Sequence, residues 1–82
     1  MPHLEVVWEY GEDGNVGHLA KNGVTPGEAE EVLAEPIKHD VSRSSGRPIV
    51  FGFTGTGRKL AVVYERVDAI TVYPITAFDV EE

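Results

Sequence analysis

Apolar and polar residues alternate along several segments of the chain, and this period of two is typical of β-strands that bury one face. The first alternation runs from Leu4 to Tyr10 and includes Trp8. Further strands are predicted at Ile37–Val41, Pro48–Thr54, Arg58–Arg66 and Ile70–Thr76. Pro74 cannot donate a backbone hydrogen bond, so it indicates an edge position or the end of the last strand.

Between the first two predicted strands, the chain carries start and stop signals for two helices. Asn15 suits the N-cap of the first helix, because its side-chain oxygen can accept from a free N–H of the first turn. Asn22 and Gly23 end this helix, since glycine readily adopts the left-handed conformation found at helix C-termini. The helix is short, and we expect its stability to depend on packing.

The second helix begins at a capping box. The Thr25 side chain can accept from the N–H of Glu28 while the Glu28 carboxylate reaches back, and Pro26 fits the first helical position. A stripe of apolar residues follows at helical spacing, namely Ala29, Val32 and Leu33. Pro36 ends the helix.

The order of these elements, one strand, two helices and then three or four strands, predicts an α+β domain. The loop Gly55–Gly57 is of hairpin length, so the strands around it should be antiparallel. We expect a two-layer fold with two N-terminal helices packed on a mainly antiparallel sheet of about four to five strands. The helices can cover one face only, which leaves the other for a ligand or partner. Residues 1–82 should form one domain.

The composition is that of a globular protein, with 41% hydrophobic residues. No segment has the length and apolarity of a membrane span or the pattern of a signal peptide, which predicts a cytoplasmic location and no membrane partner. Cysteine is absent, and His3 and His39 lack metal-motif spacing, so we expect no metal and no cofactor. A small core without cross-links favours association with a second copy or another protein.

The charge is unevenly distributed. The net charge is −7, which argues against a generic nucleic-acid-binding protein. However, six of the seven Lys and Arg residues lie between Lys38 and Arg66, where only Asp40 and Glu65 are acidic. A basic middle segment is therefore flanked by acidic parts of the chain.

Five motifs occur in the order seen in one known family. They are Trp8 in the first strand, the helical segment Asn15–Pro36, Gly46-Arg47 before an apolar strand, the segment Gly57–Tyr64 and the segment Ile70–Thr76. With these motifs the chain resembles the BrnT-like toxins. The helical motif, N-x-x-H-L-A-K-x-G-V-T-x-x-E-x-x-E-V-L-x-x-P, is the most specific of the five.

The resemblance implies a RelE-like ribonuclease fold and the toxin role in a bacterial type II toxin–antitoxin pair. It also implies cleavage of RNA without a metal and neutralisation by a cognate antitoxin protein. The chain departs from the family pattern at its end, where the acidic segment Ala77–Glu82 replaces an arginine-rich one. Asn22 also stands where histidine is common.

Cleavage of RNA by attack of a 2′-hydroxyl on the adjacent phosphate needs a base, an acid and cations that stabilise the charged transition state. The catalytic candidates in this chain are His18, Lys21, Arg58, Lys59 and Tyr64. The candidates for contact with RNA or a partner are Arg43, Arg47 and Arg66.

The spacing of these residues groups them. His18 and Lys21 lie one turn apart on the first helix. Arg58, Tyr64 and Arg66 share strand parity, so they should project from one face of the sheet. Lys59 should project from the other face.

Each candidate also has a structural interpretation. His18 can hydrogen-bond the sheet or the first loop. Lys21 can be a helix-end lysine whose positive charge interacts favourably with the C-terminal end of the helix dipole. Arg58 and Lys59 can belong to a solvated hairpin, and Tyr64 can pack within the sheet.

Two functions from different classes follow. The first is a metal-independent endoribonuclease toxin, favoured by the helical motif and the basic middle segment. The second is a non-catalytic protein-binding or orphan module on the same fold, favoured by the acidic total charge, the acidic C-terminus and a sheet face in need of cover.

Overall fold

The computed structural model describes residues 4–43 and 45–81, so His3 and Glu82 lie outside the described part of the chain. Its elements are β1 (Glu5–Val6), α1 (Asn15–Lys21), α2 (Pro26–Ala34), β2 (Lys38–Val41), β3 (Pro48–Phe53), β4 (Lys59–Arg66) and β5 (Thr71–Asp79). The strands form one five-stranded sheet in the order β1-β5-β4-β3-β2. β1 is parallel to β5, and the other neighbours are antiparallel. The predicted α+β class is confirmed, with two helices and a mixed sheet.

The first strand is much shorter than the predicted segment Leu4–Tyr10. β1 pairs with β5 only at Glu5 and Val6. Further along, the backbone turns towards α1: the carbonyl of Glu9 accepts from the N–H of Val16 at 3.2 Å. The backbone groups that a longer strand would offer to β5 are therefore used to hold the start of the helix.

The predicted cap of α1 was wrong. Gly14, not Asn15, is the N-cap, and no side chain caps this end of the helix. Asn15 is the first helical residue and is 1% exposed. Its side-chain oxygen accepts from the N–H of Glu9 at 2.8 Å, and its Nδ2 donates to the carbonyls of Val7 at 2.9 Å and Pro74 at 3.0 Å. Asn15 thus joins three backbone segments instead of capping its own helix.

The other helix signals are confirmed. Gly23 has a φ of +73°, in the left-handed region, directly after the C-cap Asn22. Both hydrogen bonds of the Thr25–Glu28 capping box are present, and Pro26 is the first residue of α2. Neither helix in the described part of the chain is long and apolar enough to span a membrane.

One core cluster joins the helices to the sheet. α1 contacts β5, and α2 contacts β3 and β4. The cluster takes Leu19, Ala29, Val32 and Leu33 from the helices and Val50, Leu60, Val62, Tyr64, Val72 and Ala77 from the strands. In β3 and β4 the strand members alternate with residues of the opposite face, as the period of two requires. In β5 the register shift next to Pro74 interrupts this alternation between Val72 and Ala77. We call the face that contributes to this cluster the helix side of the sheet.

The last strand is longer than predicted. β5 extends to Asp79, which pairs with Leu60 of β4. Pro74 lies inside it, at a position that β1 no longer covers and beside a register shift between Val63 and Tyr64. A residue without an N–H is tolerated there because the ladder is interrupted at that point.

Candidate interaction surface

The hairpin residue Arg58 is held by two carboxylates. Its guanidinium donates to Asp79 Oδ2 at 2.8 Å from Nη2, and to Glu28 Oε2 at 3.1 Å from Nη1. Nη1 also donates to the carbonyl of Gly23 at 2.8 Å. Arg58 therefore links the ends of α1 and β5 to the first turn of α2. Its positive charge is offset by two acidic groups, one of which belongs to the acidic C-terminal segment.

Arg58 and its two carboxylate partners shift one another's pKa values. The hydrogen bond from Arg58 lowers the pKa of Asp79, and hydrogen bonds from the backbone of Thr25 and then from Arg58 lower the pKa of Glu28. The bond to Asp79 in turn raises the pKa of Arg58. At neutral pH all three groups are charged, which favours a persistent ion-pair cluster.

This cluster predicts a loss of stability in acid. Carboxyls with a lowered pKa in the folded state stabilise the fold above their unfolded pKa, and this stabilisation is lost as the pH falls through their folded pKa. We expect the urea midpoint to fall as the pH is lowered from about 4. The Arg58→Met variant should show a weaker dependence in this range. As a control, Arg47→Met, which removes a half-exposed ion pair with Glu65, should keep the wild-type slope.

The structure places two of the five predicted catalytic residues on α1 and a third in contact with the loop that follows it. His18 and Lys21 are exposed on α1, and Arg58 bonds to Gly23, just beyond the end of that helix. The other two lie elsewhere. Tyr64 is 6% exposed within the core cluster on the helix side. Lys59 is adjacent to Leu60 of that cluster, so strand alternation places its side chain on the opposite face.

The three arginines predicted to contact RNA or a partner are also separated. Arg47 donates to Glu65 at 3.1 Å, and Arg66 donates to the carbonyl of Ala69 at 3.2 Å. Arg43 is exposed in the turn between β2 and β3. Arg47 also lines a cavity with Ile49 and Val63, whereas Arg58 bonds to Gly23 and to Glu28 of α2. In residues 4–43 and 45–81, no group of three or more His, Asp or Glu side chains is placed to hold a metal ion.

The face of the sheet away from the helices carries a second apolar cluster. Its buried members are Ile49, Ala61 and Val63, and Phe51, Ile75 and Val80 pack against them. No helix residue belongs to this cluster. We define the open-face patch as Ile49, Phe51, Ala61, Val63, Ile75 and Phe78. In β3 and β4 its side chains alternate with those of the core cluster, as the predicted strands require, whereas in β5 the register shift separates Ile75 from Phe78 by three positions.

The open-face patch is concave and bordered by charge. A cavity of about 270 Å³ lies over Ile49, Val63, Ile75 and Phe78, with Arg47 at its margin. The ammonium of Lys38 lies 5.6 Å from the centre of the Phe51 ring, within the range of a cation–π contact. An apolar floor with a polar margin is the usual arrangement of a protein-interaction surface.

Comparisons of the chain with models of known families, with curated proteins and with solved structures found no match. The function must therefore be inferred from the residues and their geometry.

The sequence did not single out this surface by residue. It indicated that the helices leave one face of the sheet free, but the candidate residues were chosen for acid–base and cationic chemistry. The alternation of Ile49, Phe51 and Val63 with the core residues was the signal that could have identified the patch.

Proposed function

We propose that this chain is a non-catalytic protein-binding module with a BrnT-like, RelE-like two-layer fold, and that its partner covers the open-face patch. The observation that carries this proposal is the apolar cluster of Ile49, Ala61 and Val63, which no residue of α1 or α2 joins in the described part of the chain. The resemblance suggests the class of partner, an antitoxin-like protein encoded beside this chain, and a cytoplasmic complex.

The contacts of Arg58 and the burial of Tyr64 support binding of a protein over cleavage of RNA. A phosphate-binding arginine should present its guanidinium to the ligand, whereas that of Arg58 already bonds to Asp79 and Glu28. A general acid must reach the leaving oxygen, whereas Tyr64 is buried in the core cluster. A phosphodiester would have to displace Asp79 before it could bind Arg58.

The test is co-expression with the small proteins encoded by the genes next to that of this chain, followed by light scattering to measure the mass of any complex. Phe78 is 39% exposed within the patch, and Phe78→Ser should weaken the complex by about tenfold or more, as expected for an aromatic interface residue. The matched control is Tyr10→Ser, because Tyr10 is 77% exposed and lies outside the patch.

Two results would contradict the proposal. One is an unchanged affinity of the Phe78→Ser variant while Tyr10→Ser weakens the complex. The other is an isolated chain that already buries Phe78 in a homodimer and binds no second protein. Circular dichroism of both variants would show whether they keep the wild-type fold.

The second candidate function is a metal-independent endoribonuclease toxin. It is favoured by one specific arrangement: His18 and Lys21 are exposed on α1, next to the loop that Arg58 contacts. In this function His18 would act as the base and Lys21 would stabilise the phosphate charge. Expression should then arrest growth, and His18→Ala should restore it.

A further inference from the structure

A cavity of about 470 Å³ lies between the C-terminal half of α2 and the end of β3. Its lining includes Glu31, Ala34, Glu35, Ile37, Phe53 and Gly55. It therefore combines two glutamates with two large apolar residues, and both Ile37 and Phe53 are exposed. None of these residues belongs to the open-face patch.

This cavity has a negative electrostatic character. Glu31 and Glu35 lie one turn apart, where like charges repel, and among residues 4–43 and 45–81 no Lys, Arg or His lines the cavity. One oxygen of Glu31 accepts from the N–H of Gly55 at 2.8 Å, which fixes that carboxylate beside the hairpin. Helix α2 ends here, so its C-terminal carbonyls add to the negative potential. A cation placed between the two carboxylates would relieve these repulsions.

The backbone of β3 is also available beside the cavity. β2 pairs with β3 only from Pro48 to Phe51, so Phe53 lies beyond the last residue that β2 covers. The carbonyl of Phe51 accepts from the N–H of Ile37 at 2.8 Å, on the side away from β4. Because backbone directions alternate along a strand, the N–H and C=O of Phe53 point to that same side. An extended chain could continue the line of β2 and pair with Phe53.

We propose that this cavity binds a short extended segment of a partner protein that carries an arginine or lysine next to an apolar residue. The cation would lie between Glu35 and Glu31 on the helix side. The neighbouring apolar side chain, which points to the other side of an extended segment, would pack on Phe53. The segment's backbone would pair with Phe53. This site goes beyond the proposed function, because it uses a different surface and selects a basic sequence.

The test uses the full chain labelled with ¹⁵N and two acetylated and amidated peptides, Thr-Ile-Arg-Val-Thr-Ser and the same sequence with glutamine for arginine. Titration of the arginine peptide should shift the amide signals of Phe53 and Gly55 in a saturable manner. We expect the glutamine peptide to bind about two- to fivefold more weakly, which is the size of one exposed charge contact.

Three variants make the test specific. Glu35→Gln should bring the affinity for the arginine peptide to that for the glutamine peptide, and Phe53→Ser should weaken both peptides. Glu12→Gln, which removes an exposed carboxylate outside the cavity, should change neither. Equal affinities of the two peptides for the wild-type chain, shifts confined to the open-face patch, or no shifts at all would overturn the proposal.

Discussion

Replacing Gly14 with alanine should destabilise the fold by about 3 kcal/mol or more, a size typical of overpacking against rigid structure. An added β-carbon would lie 2.6 Å from the carbonyl carbon of Glu9 and would clash with its oxygen. That carbonyl accepts from the N–H of Val16, so it cannot move away without losing the bond that anchors α1. The measurement is the free energy of unfolding in urea.

Gly27→Ala is the matched control for this prediction. Gly27 lies in α2, and a β-carbon there would meet nothing within 4 Å. Alanine should therefore leave the free energy of unfolding unchanged or raise it by about 0.5 to 1 kcal/mol, through helix propensity. If Gly14→Ala were as stable as the wild type, close contact between Gly14 and the Glu9 carbonyl would not be what holds the start of α1.

The second large effect is expected for Asn15→Ala. The truncation removes hydrogen bonds to three backbone groups, the N–H of Glu9 and the carbonyls of Val7 and Pro74. Each buried group left without a partner costs about 1 to 3 kcal/mol. A total loss of about 3 kcal/mol is therefore expected, measured by urea unfolding. The region around β1 should also exchange its amide hydrogens faster, since Asn15 joins that region to β5.

Asn22→Ala provides the comparison at an exposed site. Asn22 Nδ2 donates to the carbonyl of Ala77 at 3.0 Å, but Asn22 is exposed and water can replace the bond. We expect a loss of about 1 kcal/mol. If Asn15→Ala cost no more than Asn22→Ala, Asn15 would not be the residue that holds β1, α1 and β5 together.

Local signals in the sequence predicted most of the fold. The period of two located β2, β3 and β4 to within a residue at each end, and the capping box at Thr25 located the start of α2. These signals worked because they depend on neighbours within four residues, as helix caps and strand alternation do. They also predicted that Arg58, which directly precedes β4, projects from the same face of the sheet as Tyr64.

Contacts between segments that are distant in the sequence could not be predicted from such local signals. Asn15 looks like an N-cap in sequence, and only the positions of Val7 and Pro74 show that its side chain is needed elsewhere. Likewise, Asp79 reads as an acidic tail residue that would repel RNA. In the structure it neutralises Arg58, which lies 21 positions earlier.

The site was predicted less well than the fold because the candidates were chosen by residue type. Histidine, lysine and arginine suggest phosphate chemistry, but their partners decide whether that chemistry is available. Burial of Tyr64 and the carboxylates around Arg58 emerge only from tertiary packing. The apolar residues of the open-face patch have no catalytic or charged groups, so they can be recognised as a binding surface only from the face of the sheet that they occupy.

The central claim, that this chain binds a protein partner and does not cleave RNA, is tested most directly by incubating the purified chain with labelled total RNA. The reactions contain no divalent metal and no bound partner. Under these conditions the wild type, His18→Ala and Arg58→Met should all leave as much RNA intact as a buffer control does. RNA cleavage by the wild type that is lost in both variants would contradict the claim and establish the ribonuclease function instead.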